Sequence, residues 1–157
     1  MLQYNKNNDN LGKCVEELPR HKDMLPLYLD ILKNTDNHII RGEMAYLISQ
    51  MAPDDENFKA LLIQLINSPN TERARGSLLY ALQFLDYSDD ASVDMLCDQL
   101  MNGNWECRQK AFHMLGQLIP KMNGESKAKL EKSLTEHGEI LAERLDMVEE
   151  LIDTIAE

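Results

Sequence analysis

Apolar residues recur along this chain with a helical spacing, and three segments repeat the same pattern from an arginine. They are Arg41-Gly-Glu-Met-Ala-Tyr-Leu-Ile-Ser-Gln-Met51, Arg75-Gly-Ser-Leu-Leu-Tyr-Ala-Leu-Gln-Phe-Leu85 and Arg108-Gln-Lys-Ala-Phe-His-Met-Leu-Gly-Gln-Leu118. The arginines stand 34 and then 33 residues apart. Apolar residues at offsets 3, 4, 6, 7 and 10 from the arginine trace one face of an α-helix. Each segment follows another amphipathic run, Leu25–Lys33, Phe58–Ile66 or Val93–Met101. The breaks between the two runs are Asn34-Thr35-Asp36-Asn37, Asn67-Ser68-Pro69-Asn70 and Asn102-Gly103-Asn104. Such residues stop one helix and cap the next. Asn37, Thr71 and Asn104, each four residues before a repeat arginine, are the expected N-caps. Pro53 and Pro120 should end the first and third of the second helices, since proline cannot continue a helix interior. No run alternates apolar and polar residues as a strand would.

The predicted architecture is all-α: a short α-solenoid of antiparallel helix pairs in one domain, 1–157. Residues 1–23 form a polar N-terminal segment with a short helix over Leu11–Leu18. Three helix-pair repeats fill 24–120. A final pair over Ser126–Leu134 and Gly138–Ile155 caps the array in 121–157. Its last helix carries Glu139, Glu143, Asp146, Glu149, Glu150 and Asp153, a polar face of the kind an open array needs at its end.

The repeats resemble HEAT-like repeats, including the short bacterial form, whose second helix reads roughly Asp-x-x-Val-Arg-x-x-Ala-x-x-x-Leu-Gly. Arg41, Arg75 and Arg108 match the arginine. Ile40, Ala74 and Cys107 match the preceding apolar position, and Ile48, Leu82 and Leu115 match the leucine. Only Gly116 matches the glycine and only Ala111 the alanine. Asparagine or threonine replaces the capping aspartate. The resemblance covers about residues 25–120. It implies that the second helices line a concave side, and that the arginines bond acidic or backbone groups in the neighbouring repeat. Close helix approach, not phosphate binding, is the expected use of Gly42 and Gly76.

On such helices, offsets 2, 5 and 9 point away from the apolar stripe. They give three ladders: Glu43, Ser77, Lys110; Tyr46, Tyr80, His113; and Gln50, Phe84, Gln117. Tyrosines suit interfaces because they combine large area with little side-chain entropy. Tyr46 and Tyr80 therefore either meet a partner or pack between repeats. Trp105, the single tryptophan, is either buried at a repeat junction or exposed as a binding anchor.

Charge narrows the field of partners. Twenty-seven acids oppose sixteen bases, for a net charge of −11. This disfavours direct binding to nucleic acid or to an anionic membrane. It favours solubility and a cationic partner. Acids gather at the turns between repeats, as Asp54-Asp55-Glu56 and as Asp86, Asp89, Asp90, Asp94 and Asp98. Helix capping accounts for one acid per turn, and the surplus is a candidate surface for lysines or arginines.

No catalytic constellation emerges. Cys107 and His113 are six apart on one helix, about 240° around its axis, so they cannot pair within it. The four histidines form no HExxH or Glu-x-x-His pattern, and no Gly-rich phosphate loop opens a helix. No catalytic residue, cofactor, metal or small-molecule ligand is expected. Three cysteines without a CxxC pair suggest a reducing compartment, and Met1–Lys6 shows no secretory signal, so a cytoplasmic location is expected. The candidate contact residues are Glu43, Tyr46, Asp54, Asp55, Tyr80, Phe84, Asp86, Asp89, Asp90, Trp105 and His113. The expected function is that of an acidic protein-binding module. Its size, charge and lack of a reactive site resemble those of bacterial immunity proteins, which neutralise basic toxin enzymes such as nucleases. A general adaptor or assembly scaffold is the alternative.

Overall fold

The structure is a computed structural model that describes residues 11–156. The polar start of the chain, 1–10, lies outside the described residues, as do the side chains of Glu143, Asp146, Glu149, Glu150 and Asp153. The described residues are all-helical, without strands. The described part of α1 covers 11–16. A 3-10 turn at Lys22–Met24 leads into α2 (Leu25–Asn34), which is followed by α3 (His38–Met51) and α4 (Glu56–Asn67). A 3-10 segment, Pro69–Ala74, precedes α5 (Arg75–Leu82). Then come α6 (Asp90–Asn102), α7 (Trp105–Leu118), a 3-10 turn at Ile119–Lys121 and α8 (Gly124–Ala156). None of the described helices is long and apolar enough to cross a membrane. The chain divides into two compact units, Met1–Met114 and Leu115–Glu157.

In the first unit, α2 packs on α3, α4 on α5, α3 on α5, and α4 on α6. The apolar stripe explains these contacts. Met44, Leu47 and Ile48 of α3 and Leu78, Ala81 and Leu82 of α5 are buried. They meet Tyr28 and Leu32 of α2 and Phe58, Leu62 and Ile66 of α4 as core residues. The Tyr28 hydroxyl, deep in this core, donates to Pro19 O at 2.8 Å, so its polar end is satisfied.

Two of the three expected N-caps act as such. The Asn37 side chain accepts from Ile39 N and Ile40 N, and Asn104 Oδ1 accepts from Cys107 N at 2.9 Å. Thr71 does not. Its hydroxyl donates to the Leu65 and Ser68 carbonyls, which uses it as a donor inside the Pro69–Ala74 turn. Ser68 caps that turn instead, accepting from Asn70 N. The helix proper then starts at Arg75, and α5 is only eight residues long.

The repeat arginines bond backbone carbonyls, but within their own helix pair rather than in a neighbouring one. Arg41 Nε donates to Leu32 O at 3.4 Å and its Nη2 to Thr35 O. Arg75 Nη2 donates to Ser68 O at 3.2 Å, and Arg108 Nε to Gly103 O at 2.7 Å. Each guanidinium thus caps the C-terminal carbonyls of the preceding helix, where the helix dipole favours a cation.

The expected C-terminal helix pair is instead one helix, α8, of 33 residues. Thr135 and His137, in the stretch read as a break, stay helical. The Thr135 hydroxyl donates to Glu131 O at 2.9 Å, and His137 Nδ1 lies 2.7 Å from Ser133 O. Gly138 costs about 1 kcal/mol in a helix, and no proline follows Pro120 to enforce a stop. Within the second unit, Ile119, Lys127, Leu130, Glu131, Leu134 and Thr135 line a cavity of about 450 Å³.

Candidate partner-binding surface

The tyrosine ladder is real as a contact. Tyr46 on α3 and Tyr80 on α5 hold the same repeat offset, and their ring centroids are 5.7 Å apart. Phe84, one turn beyond Tyr80, completes a trio. Its ring stands edge-on to Tyr46 at 5.5 Å and to Tyr80 at 5.2 Å. These are favourable edge-to-face geometries. The trio is not core: Tyr80 is 44% exposed and Phe84 39%. The rings therefore both pack between helix pairs and present an apolar surface to solvent.

Close backbone approach sets the ladder's spacing. A Cβ on Gly42 would stand 2.7 Å from Ser77 Cβ, so only glycine lets α3 and α5 come this near. A Cβ on Gly76 would meet Glu106 Cδ at 2.5 Å. Lys110 then reaches from α7 to α5. Its Nζ donates to Gly76 O at 2.8 Å, pairs with Glu106 at 3.1 Å and sits 5.6 Å from the Tyr80 ring centre. This is a cation–π contact that the sequence reading did not include among the contact residues. His113, the third member of the ladder, is exposed on α7.

Glu43 borders the trio, one helical turn before Tyr46. Partial burial, and then the Glu16 carboxylate, push its acid above the usual glutamate range. A carboxylate held out of water beside another acid gains from any cation brought to it.

The acids of the turns divide by role. Asp55 caps α4, accepting from Asn57 N at 2.9 Å and Phe58 N at 3.0 Å. Asp89 caps α6, accepting from Ser92 N at 3.0 Å and Ser92 Oγ at 2.9 Å. Asp86 accepts from Ser88 N at 3.0 Å, and the hydrogen bonds from Ser88 hold it below the usual aspartate range. Asp89 also pairs with Lys59 Nζ at 3.1 Å, and Lys59 pairs with Glu56 at 2.8 Å. Partial burial opposes ionisation of Asp89, but its bonds to Ser92 and Lys59 prevail and keep its acid low. The Glu56 contact leads in raising Lys59. Lys59 thus joins the starts of α4 and α6 and neutralises part of the acidic edge, a contact between residues 30 apart that spacing alone does not show. Asp54 and Asp90 are exposed. Asp54 and Asp55 line a cavity of about 330 Å³ with Lys22, Met51 and Pro53.

Trp105 is 76% exposed, at the start of α7, and Phe112 on the same helix is 68% exposed. Phe112 is exposed although it falls at offset 4, on the apolar stripe. Cys97 and Cys107 are buried, and burial pushes both thiols up. Among the described residues no three His, Cys, Asp or Glu side chains gather in a way that could hold a metal ion. Comparison with family models, with characterised proteins and with solved structures finds no match to this chain.

Proposed function

We propose that this chain is an acidic protein-binding module, a short HEAT-like solenoid that grips its partner through the concave aromatic trio Tyr46, Tyr80 and Phe84. The observation that carries this reading is a cluster of three mutually packed rings, Tyr46 half-buried on α3, Tyr80 exposed on α5 and Phe84 exposed just beyond it. Rigid aromatic clusters lose little entropy on binding, and tyrosine is enriched among the residues that dominate interface energy. The net charge of −11, and Glu43 beside the trio with its unfavourable ionisation, favour a basic partner. Within that class the chain is an immunity-type inhibitor of a basic toxin enzyme, such as a nuclease, whose phosphate-binding surface it covers.

The test is capture from the native host, together with direct titration against any basic toxin domain encoded beside the gene. One-to-one binding that weakens on Tyr80→Ala, and whose association slows with added salt, supports the proposal. Capture of a partner that is not basic, at an affinity indifferent to Tyr80→Ala and to salt, contradicts it.

A further inference from the structure

One cation of this chain already sits on the aromatic ladder. Lys110, at offset 2 on α7, lies over the ring of Tyr80, at offset 5 on α5. Its Nζ is 5.6 Å from the ring centre, donates to Gly76 O at 2.8 Å and pairs with Glu106 at 3.1 Å. A carbonyl, a carboxylate and a ring face suit the three donors of an ammonium. One repeat earlier the same step is built from Gly42, Tyr46 and Ser77. Gly42 takes the place of Gly76, Tyr46 that of Tyr80, and Ser77 that of Lys110. The helices come as close here, with a Cβ on Gly42 only 2.7 Å from Ser77 Cβ. Ser77 is exposed and Tyr46 half-buried, but serine brings no charge to the ring.

The carboxylates of this step come from the other side. Glu43 stands one turn before Tyr46 on the same side of α3, and α1 brings Glu16 towards it. A Cβ on Gly12 would stand 3.8 Å from Glu43 Oε1. Among the described residues no lysine or arginine pairs with Glu43 or Glu16. Burial and the Glu16 carboxylate both disfavour the charge on Glu43, and a cation brought to the two acids offsets both effects.

We infer that this step is the docking site for one lysine side chain of the basic partner, its ammonium seated over Tyr46 against Glu43 and Glu16. The inference deepens the reading of the aromatic trio as the partner-binding surface and rests on it. Two observations select the occupant. Two neighbouring carboxylates without a cation of their own are complementary to positive charge. The chain's own Lys110 fills the matching position one repeat on, and does so as a compact ammonium rather than a planar guanidinium. All of these residues belong to the first compact unit.

The probe is a capped tetralysine peptide, titrated into the full chain at low salt and followed by amide NMR, with the fully acetylated peptide as its uncharged counterpart. The expected result is a set of shifts centred on Gly42, Glu43, Tyr46 and Ser77, which the acetylated peptide leaves unmoved. Glu43→Gln should weaken binding there about 5- to 10-fold, the size of one charge-assisted contact. Ser77→Lys should supply the ammonium from within the chain. It should raise the melting temperature by about 2–4 °C and abolish the peptide's shifts at Tyr46, whereas Ser77→Gln should do neither. Shifts that gather instead at Asp54 and Asp90, or that persist at Tyr46 in both Glu43→Gln and Ser77→Lys, overturn the proposal. The captured partner separates this inference from the reading beneath it. Affinity lost with Tyr80→Ala but kept with Glu43→Gln and Ser77→Lys overturns the lysine anchor and leaves the aromatic surface standing. Affinity kept with Tyr80→Ala contradicts the surface itself.

Discussion

The approach of α3 to α5 predicts opposite outcomes for two formally identical substitutions. Alanine is about 1 kcal/mol better than glycine inside a helix. At Gly42 the added methyl would stand 2.7 Å from Ser77 Cβ and 3.0 Å from Ser77 Oγ. Carbon atoms prefer about 3.5–4.0 Å, so the shortfall is about 1 Å. Ser77 Cβ moves only if α5 moves, and α5 is held by α3 and α4. Overpacking of this kind costs about 1–3 kcal/mol. The net effect of Gly42→Ala is a loss of about 0–2 kcal/mol. At Gly76 the obstacle is the end of the Glu106 side chain, which is 58% exposed and free to swing into solvent. The cost is the Glu106–Lys110 pair, a partly exposed ion pair worth about 0–1 kcal/mol. Gly76→Ala should therefore be neutral or stabilising by up to about 1 kcal/mol. The midpoint difference between the variants is about 1.5 kcal/mol, or roughly 3–6 °C in melting temperature. Thermal and urea unfolding followed by circular dichroism will measure it. Equal stabilisation by both alanines would refute the close packing of α3 on α5 and the spacing of the aromatic ladder with it.

Other expectations follow from single contacts. Arg41→Ala should cost about 1–3 kcal/mol in urea unfolding, because it strips buried carbonyls of their donor. Arg108→Ala should cost less, about 0.5–1 kcal/mol, because Arg108 is exposed and its bond to Gly103 O is only partly buried; equal losses would refute the graded exposure of the arginines. Ellman's reagent should label Cys14 at once and Cys97 and Cys107 only on unfolding, since only a thiolate reacts and burial raises both of their pKa values; three fast thiols would contradict the packing. Asp89 titrates lower in the folded than in the unfolded chain. The stability it supplies is present above its unfolded pKa, about 3.9, and is lost as pH falls through the folded value. Asp89→Asn should thus flatten the dependence of the urea midpoint between about pH 7 and pH 3; an unchanged slope would deny the Asp89–Lys59 pair a role.

The helices were legible because their signals are local. The 34-residue period, the stripe at offsets 3, 6 and 7, and the caps at Asn37 and Asn104 each concern residues within a turn or two. Thr71 misled because a hydroxyl serves as donor or acceptor, and only the fold decides which. Gly138 misled because one glycine weakens a helix without ending it. Tyr46, Tyr80 and Phe84 could be placed on one side from offsets alone, yet their contact depends on Gly42 bringing two helices together. The acidic turns looked unopposed since Lys59 lies 30 residues from Asp89 in the chain. Phe112 shares offset 4 with the buried Ala45 and Leu79 yet is exposed, because spacing places a residue on the stripe without saying what lies against it.

The aromatic trio is the most exposed part of this account, and one titration addresses it directly. A basic partner captured from the native host should be titrated calorimetrically against the parent chain and against Tyr46→Ala/Tyr80→Ala/Phe84→Ala. Loss of three central interface aromatics should weaken binding by at least about 100-fold, with the helical spectrum retained because the rings are partly exposed. Undiminished affinity of the triple variant would contradict the proposal that this surface holds the partner.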